Sequence, residues 1–404
     1  MKILVLTTLH APNDDRIFYK ETLSLLRKFS DVMLVAPDHG DQGKVTERRI
    51  RCLTLRQRDG IPGRLLKLLA ATRAVWRIGP DIVHFHDYDI LLVAPAMRYL
   101  LRCRLVYDAH EDYPAAALMS ERFPKVLRPA IARLVRLFEV TFARCCDLII
   151  TADTPTAEYL SESGVPVRVL FNYPRLSLFP SEDTDPDENR ELFSHHSVIT
   201  YQGSMSADRG LFHMIRAMPG ILAGRPDCRL LLIGLRDAEL RRRALSLADE
   251  LGVREAVAIV PWVPHAELHR YLGRSKVGLV PLQPEQKYKR NIPIKLFEYM
   301  ACGLPVLAAD LPSIRPYVEQ SMAGLLYDST SSDPLAAGVL RMLSDEDGLR
   351  RMGENGRRAV QEKWNWDKME ERLFAAYDEL EARVRQGRAR AGRGQTRSVP
   401  SGES

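Results

Sequence analysis

At 404 residues the chain is longer than one ordinary core accommodates, so two domains are the default. A hydrophobic content of 46% with 27% charged residues belongs to a folded globular chain and excludes collagen-like or disordered classes. The net charge of +6 favours an acidic partner such as a nucleotide phosphate or an anionic lipid surface. No zinc-finger spacing, RNP-like aromatic run or basic stripe interleaved with aromatics points to nucleic acid.

The N-terminus, from Met1 to Thr8, is a strand followed by a polar turn, without the apolar length or cleavage site of a secretory signal. A turn with G-x-G-x-x-G would mark a dinucleotide site. Thr7–Phe18 has no glycine, which disfavours hydride transfer. Instead Asn13, Asp14 or Asp15 is placed to cap the following helix, and Arg16 is a candidate anion ligand.

Short apolar strands then alternate with helix-length segments. The predicted strands are Ile3–Thr7, Val32–Ala36, Ile50–Leu55, Ile82–Phe85, Leu105–Tyr107, Leu148–Thr151 and Val167–Phe171. This pattern implies a parallel sheet covered on both faces. His84-Phe-His86-Asp87 and Asp108-Ala-His110-Glu111-Asp112 lie at strand ends, where function sits in such sheets. Their spacing invites a metal reading, but one histidine polarising a substrate hydroxyl is simpler, so no metal is assigned.

The segment Pro124–Arg144 reads as a basic amphipathic helix. Ile131, Leu134, Val135, Phe138 and Phe142 line one face, with Lys125, Arg128, Arg133, Arg136 and Arg144 elsewhere. Such a helix suits an anionic membrane surface, or alternatively an ordinary core-facing position.

Residues 179–189 are acidic and proline-containing and form the best boundary. The strand pattern restarts with Val198–Tyr201, Leu230–Ile233, Ala256–Val260, Val277–Val280, Val306–Ala309 and Gly324–Tyr327. Two doubly wound domains follow, at 1–175 and 190–362, with ligands expected in the cleft between them. A helix packing back is expected over 363–380, and a disordered basic tail over 386–404. The six cysteines show no metal spacing and read as reduced, buried thiols in a cytosolic setting.

Two stretches of the second domain carry ligand chemistry. In Ile199–Leu211, Gly203 permits close backbone approach and Arg209 adds charge near a helix start. In Asn291–Leu307, Pro293 opens a short helix that carries Lys295 and Glu298 on one face, and Gly303 ends it. A cation, a carboxylate and free backbone N–H groups suit a ligand with phosphate at one end and hydroxyls at the other.

Together, Asp15-Arg-Ile-Phe-x-Lys-Glu21, Asp108-Ala-His110-Glu111, Gly203…Arg209-Gly210 and Pro293-x-Lys295-x-x-Glu298-Tyr-Met-Ala-x-Gly303-x-Pro305-Val306 resemble a family 4 glycosyltransferase of GT-B architecture. The opening motif is similar to a bacterial subgroup concerned with polysaccharide or glycolipid assembly. The resemblance implies two Rossmann-like domains facing across a cleft. It also implies a retaining transferase that takes a nucleotide-diphosphate sugar and requires no metal or other cofactor. By position Glu298 matches the donor-ribose ligand, Arg209 the diphosphate ligand and His110 the histidine near the reacting sugar. Asp15, Arg16, His86 and Glu111 are assigned to the acceptor side.

Two positions depart from the family pattern. Arg290 stands eight residues before Glu298, where a glutamate is common, and Ser204 stands where an arginine is common. Lys295 or Arg290 is expected to compensate for that arginine. A lipid-linked saccharide is the expected acceptor, with the chain on the inner membrane face. A sugar-nucleotide epimerase and a non-catalytic sugar-nucleotide-binding subunit are the alternatives.

Overall fold

The computed structural model describes residues 1–38, 50–56, 60–120, 122–179 and 190–395. It divides into two compact units. One is Met1–Asn172 together with the chain from Met369; the other is Tyr173–Lys368. Most of the acidic stretch expected as a boundary, residues 180–189, lies outside the described residues.

The N-terminal unit holds seven strands: β1 (Lys2–Leu6), β2 (Asp31–Pro37), β3 (Arg51–Leu55), β4 (Ile82–Phe85), β5 (Arg104–Ala109), β6 (Leu148–Thr151) and β7 (Val167–Val169). Their order is β3-β2-β1-β4-β5-β6-β7, and every pairing is parallel. The order reverses between β1 and β4, so the carboxyl ends of those two strands form the unit's natural binding position. β1, β4 and β6 are mostly apolar and buried along nearly their whole length, as strands covered on both faces are.

The second unit repeats the plan with β8 (Ser197–Gln202), β9 (Cys228–Ile233), β10 (Val257–Val260), β11 (Val277–Val280), β12 (Val306–Ala309) and β13 (Gly324–Tyr327). The order β10-β9-β8-β11-β12-β13 is again all parallel and reverses between β8 and β11. Both sheets are therefore doubly wound α/β, as the strand pattern implied. All six cysteines are free thiols.

The last helix differs from expectation. It spans Trp366–Gln395, so residues 386–395 are helical where an unstructured tail was expected. Its three arginines, two alanines and two glutamines are strong helix formers, and they outnumber its three glycines. From Met369 onward the helix belongs to the N-terminal unit. Its Glu370 pairs with Arg27 at 2.6 Å, and Lys28 donates to the Phe374 carbonyl at 3.1 Å.

The helix expected over 124–144 spans Arg128–Ala143. Phe138 and Phe142 pack against the core of the N-terminal unit, and Val140 and Ala143 are buried in it. The exposed apolar residues are Val126, Leu127, Leu134 and Leu137, so only Leu134 of the expected face is openly displayed. No helix among the described residues is long and apolar enough to cross a membrane.

Candidate functional site

In the second unit the site is built at the β8–β11 switch point. Gly203 follows β8 at φ 102°, a conformation that only glycine adopts without strain. A cavity of about 510 Å³ opens there. Gln202, Gly203, Gly234, Arg236, Trp262 and His265 are among its lining residues. The Arg236 guanidinium stacks 4.9 Å from the Trp262 ring centroid.

Pro293 caps the helix Ile294–Ala301, and both Lys295 and Glu298 are buried in its first turns. Glu298 accepts from the Gln202 side-chain amide at one oxygen, and its other oxygen lies 2.6 Å from His265 Nε2. A carboxylate has further lone pairs and can accept ligand hydroxyls beside these two partners. The Lys295 ammonium has no hydrogen-bond partner and lies 3.5 Å from the centroid of the Tyr201 ring. A Cβ placed on Gly203 would stand 3.7 Å from Lys295 Nζ, so the ammonium backs onto the glycine turn. Burial, then the charge of Arg209, pushes the Lys295 amine well below the usual lysine range, with Glu298 acting in the opposite direction.

Arg209 is partly exposed and donates to the Ser204 carbonyl at 3.3 Å. That carbonyl also accepts from Tyr201 Oη at 2.9 Å. Asp208 ties this loop to the one carrying Arg290. It accepts from Tyr288 Oη at 2.9 Å and pairs with Lys287, and Gln283 N donates to its carbonyl at 3.0 Å. Burial works against the Asp208 charge. Hydrogen bonds from Lys287, Ser206 and Tyr288 outweigh it and hold the carboxyl at about 2. Arg290 is exposed in that turn, and its backbone N–H donates to Lys287 O at 3.3 Å. Gly210, at φ 84°, precedes the helix Leu211–Gly224, and any Cβ there would meet the Pro281 carbonyl at 2.2 Å.

In the N-terminal unit the β1–β4 switch point gathers polar side chains from three segments. Asp14 caps the turn Asp15–Thr22, accepting from the backbone of Arg16 and Ile17. Asp15 pairs with Lys20 at 2.5 Å. Arg16 departs from expectation. It is buried, with Nη2 2.8 Å from Asp108, Nε 3.0 Å from Glu21 and Nη1 donating to Leu170 O at 2.9 Å. Its donors serve an internal ion cluster, because two buried carboxylates require a counter-charge. It is therefore not available to an external anion.

His110 Nδ1 lies 3.4 Å from Asp108 Oδ1. Burial lowers the His110 pKa, but the hydrogen bond and charge of Asp108 outweigh it, and the net shift is upward. Glu111 is exposed. His86 is fully buried and stacks on His84, with ring centroids 4.9 Å apart. It does not face solvent, so direct contact with an acceptor, its expected role, is not what this position shows. Glu21, His84, His86 and Asp108 bring ligand atoms within 4.8 Å of one another, all buried. Burial drives His84 down to about 4 and His86 well below its ordinary value, so both imidazoles are neutral.

Several of these residues carry no local sequence signal. Gln202, Tyr201 and His265 reach Lys295 and Glu298 from segments 33 to 96 residues away, a separation that no periodicity encodes. Tyr377 joins His84 of the other cluster in the same way.

The comparisons with known proteins agree with this geometry. A family model described as "Glycosyltransferase Family 4" matches residues 15–173, and one described as "Glycosyl transferases group 1" matches residues 184–359. A D-inositol 3-phosphate glycosyltransferase of Thermobispora bispora is 26% identical over 81% of this chain and 78% of its own length. A GDP-mannose-dependent monoacylated alpha-(1-6)-phosphatidylinositol monomannoside mannosyltransferase of Corynebacterium glutamicum is 28% identical over 54% of this chain and 55% of its own. Among solved structures, Anabaena HepE in complex with UDP-glucose superposes with a TM-score of 0.71 at 16% identity, covering 94% of this chain and 100% of that one. With one model spanning most of the first unit and the other most of the second, this chain belongs to the family 4 glycosyltransferases of GT-B fold.

Proposed function

We propose that this glycosyltransferase is a retaining enzyme that moves a sugar from a nucleotide-diphosphate donor to the hydroxyl of a lipid-linked saccharide in polysaccharide or glycolipid assembly. The anomeric C–O bond to the diphosphate breaks and a bond to the acceptor oxygen forms on the same face. The acceptor's proton leaves with the diphosphate. The observation that carries the reading is the buried Lys295 ammonium, which has no hydrogen-bond partner and backs onto the Gly203 turn beside a cavity. An anion beside such a cation is stabilised strongly because little water competes. Lys295 thus replaces the arginine that Ser204 lacks. Glu298 takes the ribose hydroxyls, Arg209 and the start of the helix Ile294–Ala301 share the diphosphate charge, and His110 serves the reacting sugar. No metal is assigned to the transfer.

The relatives support the substrate classes. HepE is crystallised with UDP-glucose, and the Corynebacterium glutamicum relative is named for GDP-mannose and a phosphatidylinositol acceptor. The exposed Val126, Leu127, Leu134 and Leu137 lie among Arg133, Arg136 and Arg144, which are also exposed. This combination suits an anionic inner membrane face.

The test is a panel of sugar nucleotides with and without lipid extract, following released nucleoside diphosphate and product stereochemistry. Acceptor-dependent release with the donor's anomeric configuration kept supports the reading. Inverted product, or isomerised donor without transfer, rejects it. His110→Ala is expected to lower turnover with little change in nucleotide affinity. Failure to co-sediment with anionic liposomes at low salt would remove the membrane part alone.

A further inference from the structure

The N-terminal unit contains a second arrangement that sugar transfer does not use. His84 Nε2 stands 3.2 Å from Glu21 Oε2, and His86 Nε2 stands 3.7 Å from the same oxygen. Asp108 Oδ2 is 4.0 Å from His84 Nε2. All four side chains are fully buried. Arg16 pairs with Glu21 Oε1 and His110 faces Asp108 Oδ1, yet Glu21 Oε2, His84 Nε2 and both nitrogens of His86 make no hydrogen bond. Buried polar atoms without a hydrogen bond are rare in folded proteins, and these converge in one cluster.

The far sides of the cluster are already held. His84 Nδ1 lies 2.9 Å from Tyr377 Oη, from the last helix. In the tautomer that donates Nδ1–H to that oxygen, Nε2 turns a lone pair toward the Glu21 carboxylate, a contact that is repulsive unless a cation or proton lies between. Arg16 sits on Glu21 Oε1, which leaves Oε2 for both imidazoles. These are the outer contacts that fix ligand orientation around a bound metal. Separations of 3.2, 3.7 and 4.0 Å bracket the ~3.4 Å edge of a tetrahedron with bonds of about 2.1 Å.

We propose that Glu21, His84, His86 and Asp108 form a buried site for a divalent transition-metal ion of the zinc class, with Tyr377 and Arg16 as its outer shell. Two imidazoles and two carboxylates form a donor set that zinc accepts. The rival occupant is a proton on Glu21. One proton satisfies a single pair, whereas one metal ion satisfies both histidines and both carboxylates together. The ion joins the end of β4, the end of β5 and the turn Asp15–Thr22, and so braces the strand end that carries His110. It is a structural ion and takes no step in transfer.

The experiment measures zinc in the full chain by mass spectrometry after zinc loading and dialysis. The stripped protein is then titrated with cobalt(II), followed by visible absorption. One equivalent of zinc per chain and a tetrahedral cobalt spectrum are expected. Glu21→Gln and His86→Ala each lower affinity by more than about a hundredfold, and Tyr377→Phe by about tenfold, as for an outer-shell partner. His213→Ala, at a half-buried imidazole of the second unit, leaves affinity unchanged. Circular dichroism checks that each variant folds. A wild-type chain that retains no zinc after loading overturns the proposal and leaves the cluster to the proton, whatever the variants do. Equal cobalt affinity in wild type and a folded Glu21→Gln overturns it as well.

Discussion

The Lys295 ammonium lies over the face of Tyr201 at 3.5 Å from the ring centroid and has no hydrogen bond. A cation in that place is held by the ring quadrupole but remains poorly solvated. Lys295→Met is therefore expected to stabilise the fold, by about 1–3 kcal/mol, while sharply weakening donor binding. The pH dependence follows the same logic. Because the folded-state lysine is depressed, the unfolded chain binds more protons between the folded value and about 10.4, so stability rises with pH across that window. Urea midpoints at neutral and alkaline pH should show this slope in the wild type and a flatter one in the variant. A destabilised Lys295→Met would contradict the unpaired state of the ammonium.

Arg209 is expected to act on charge that develops as the diphosphate departs. Arg209→Ala should lower turnover by roughly a hundredfold, the ~3 kcal/mol typical of one lost electrostatic contact. Stopped assays of nucleoside diphosphate release at saturating donor check this. Near wild-type turnover would reject the role.

Glu298 is expected to separate binding from catalysis. Glu298→Gln should weaken nucleoside diphosphate binding by about tenfold or more in calorimetry, because hydrogen bonds to a charged acceptor contribute about 1.5–3 kcal/mol. Glu298→Ala should also lower stability, because the buried Gln202 amide loses its acceptor. Unchanged affinity in both variants would move the ribose elsewhere.

Glu139 offers a test away from the site. Its carboxyl accepts from Tyr107 Oη at 2.6 Å and Tyr159 Oη at 2.8 Å, and burial pushes it up to about 7 despite those bonds. The folded state then holds more protons than the unfolded one between about 4.5 and 7, so this group's contribution is full below that window and is lost as pH rises through it. Glu139→Gln should flatten the stability profile across the window. A profile with the wild-type slope would assign the titration to another group.

The alternating pattern of near-continuous apolar strands and helix-length segments determined two parallel doubly wound sheets, because strands buried on both faces leave that pattern along the chain. Local chemistry likewise placed Gly203, Lys295 and Glu298 at loop and helix starts, since those roles depend on neighbouring residues. What surrounds them was decided by tertiary structure. Gln202 and His265 hold Glu298, and Tyr201 underlies Lys295, because parallel strands bring together segments far apart in sequence. Arg16 shows the same limit in reverse: an arginine beside a polar turn looks like an anion ligand until Glu21 and Asp108 are seen to claim it. The charge of a side chain is written in the sequence, but its partner is set by burial, and in this chain burial decided which cations remain open to a ligand.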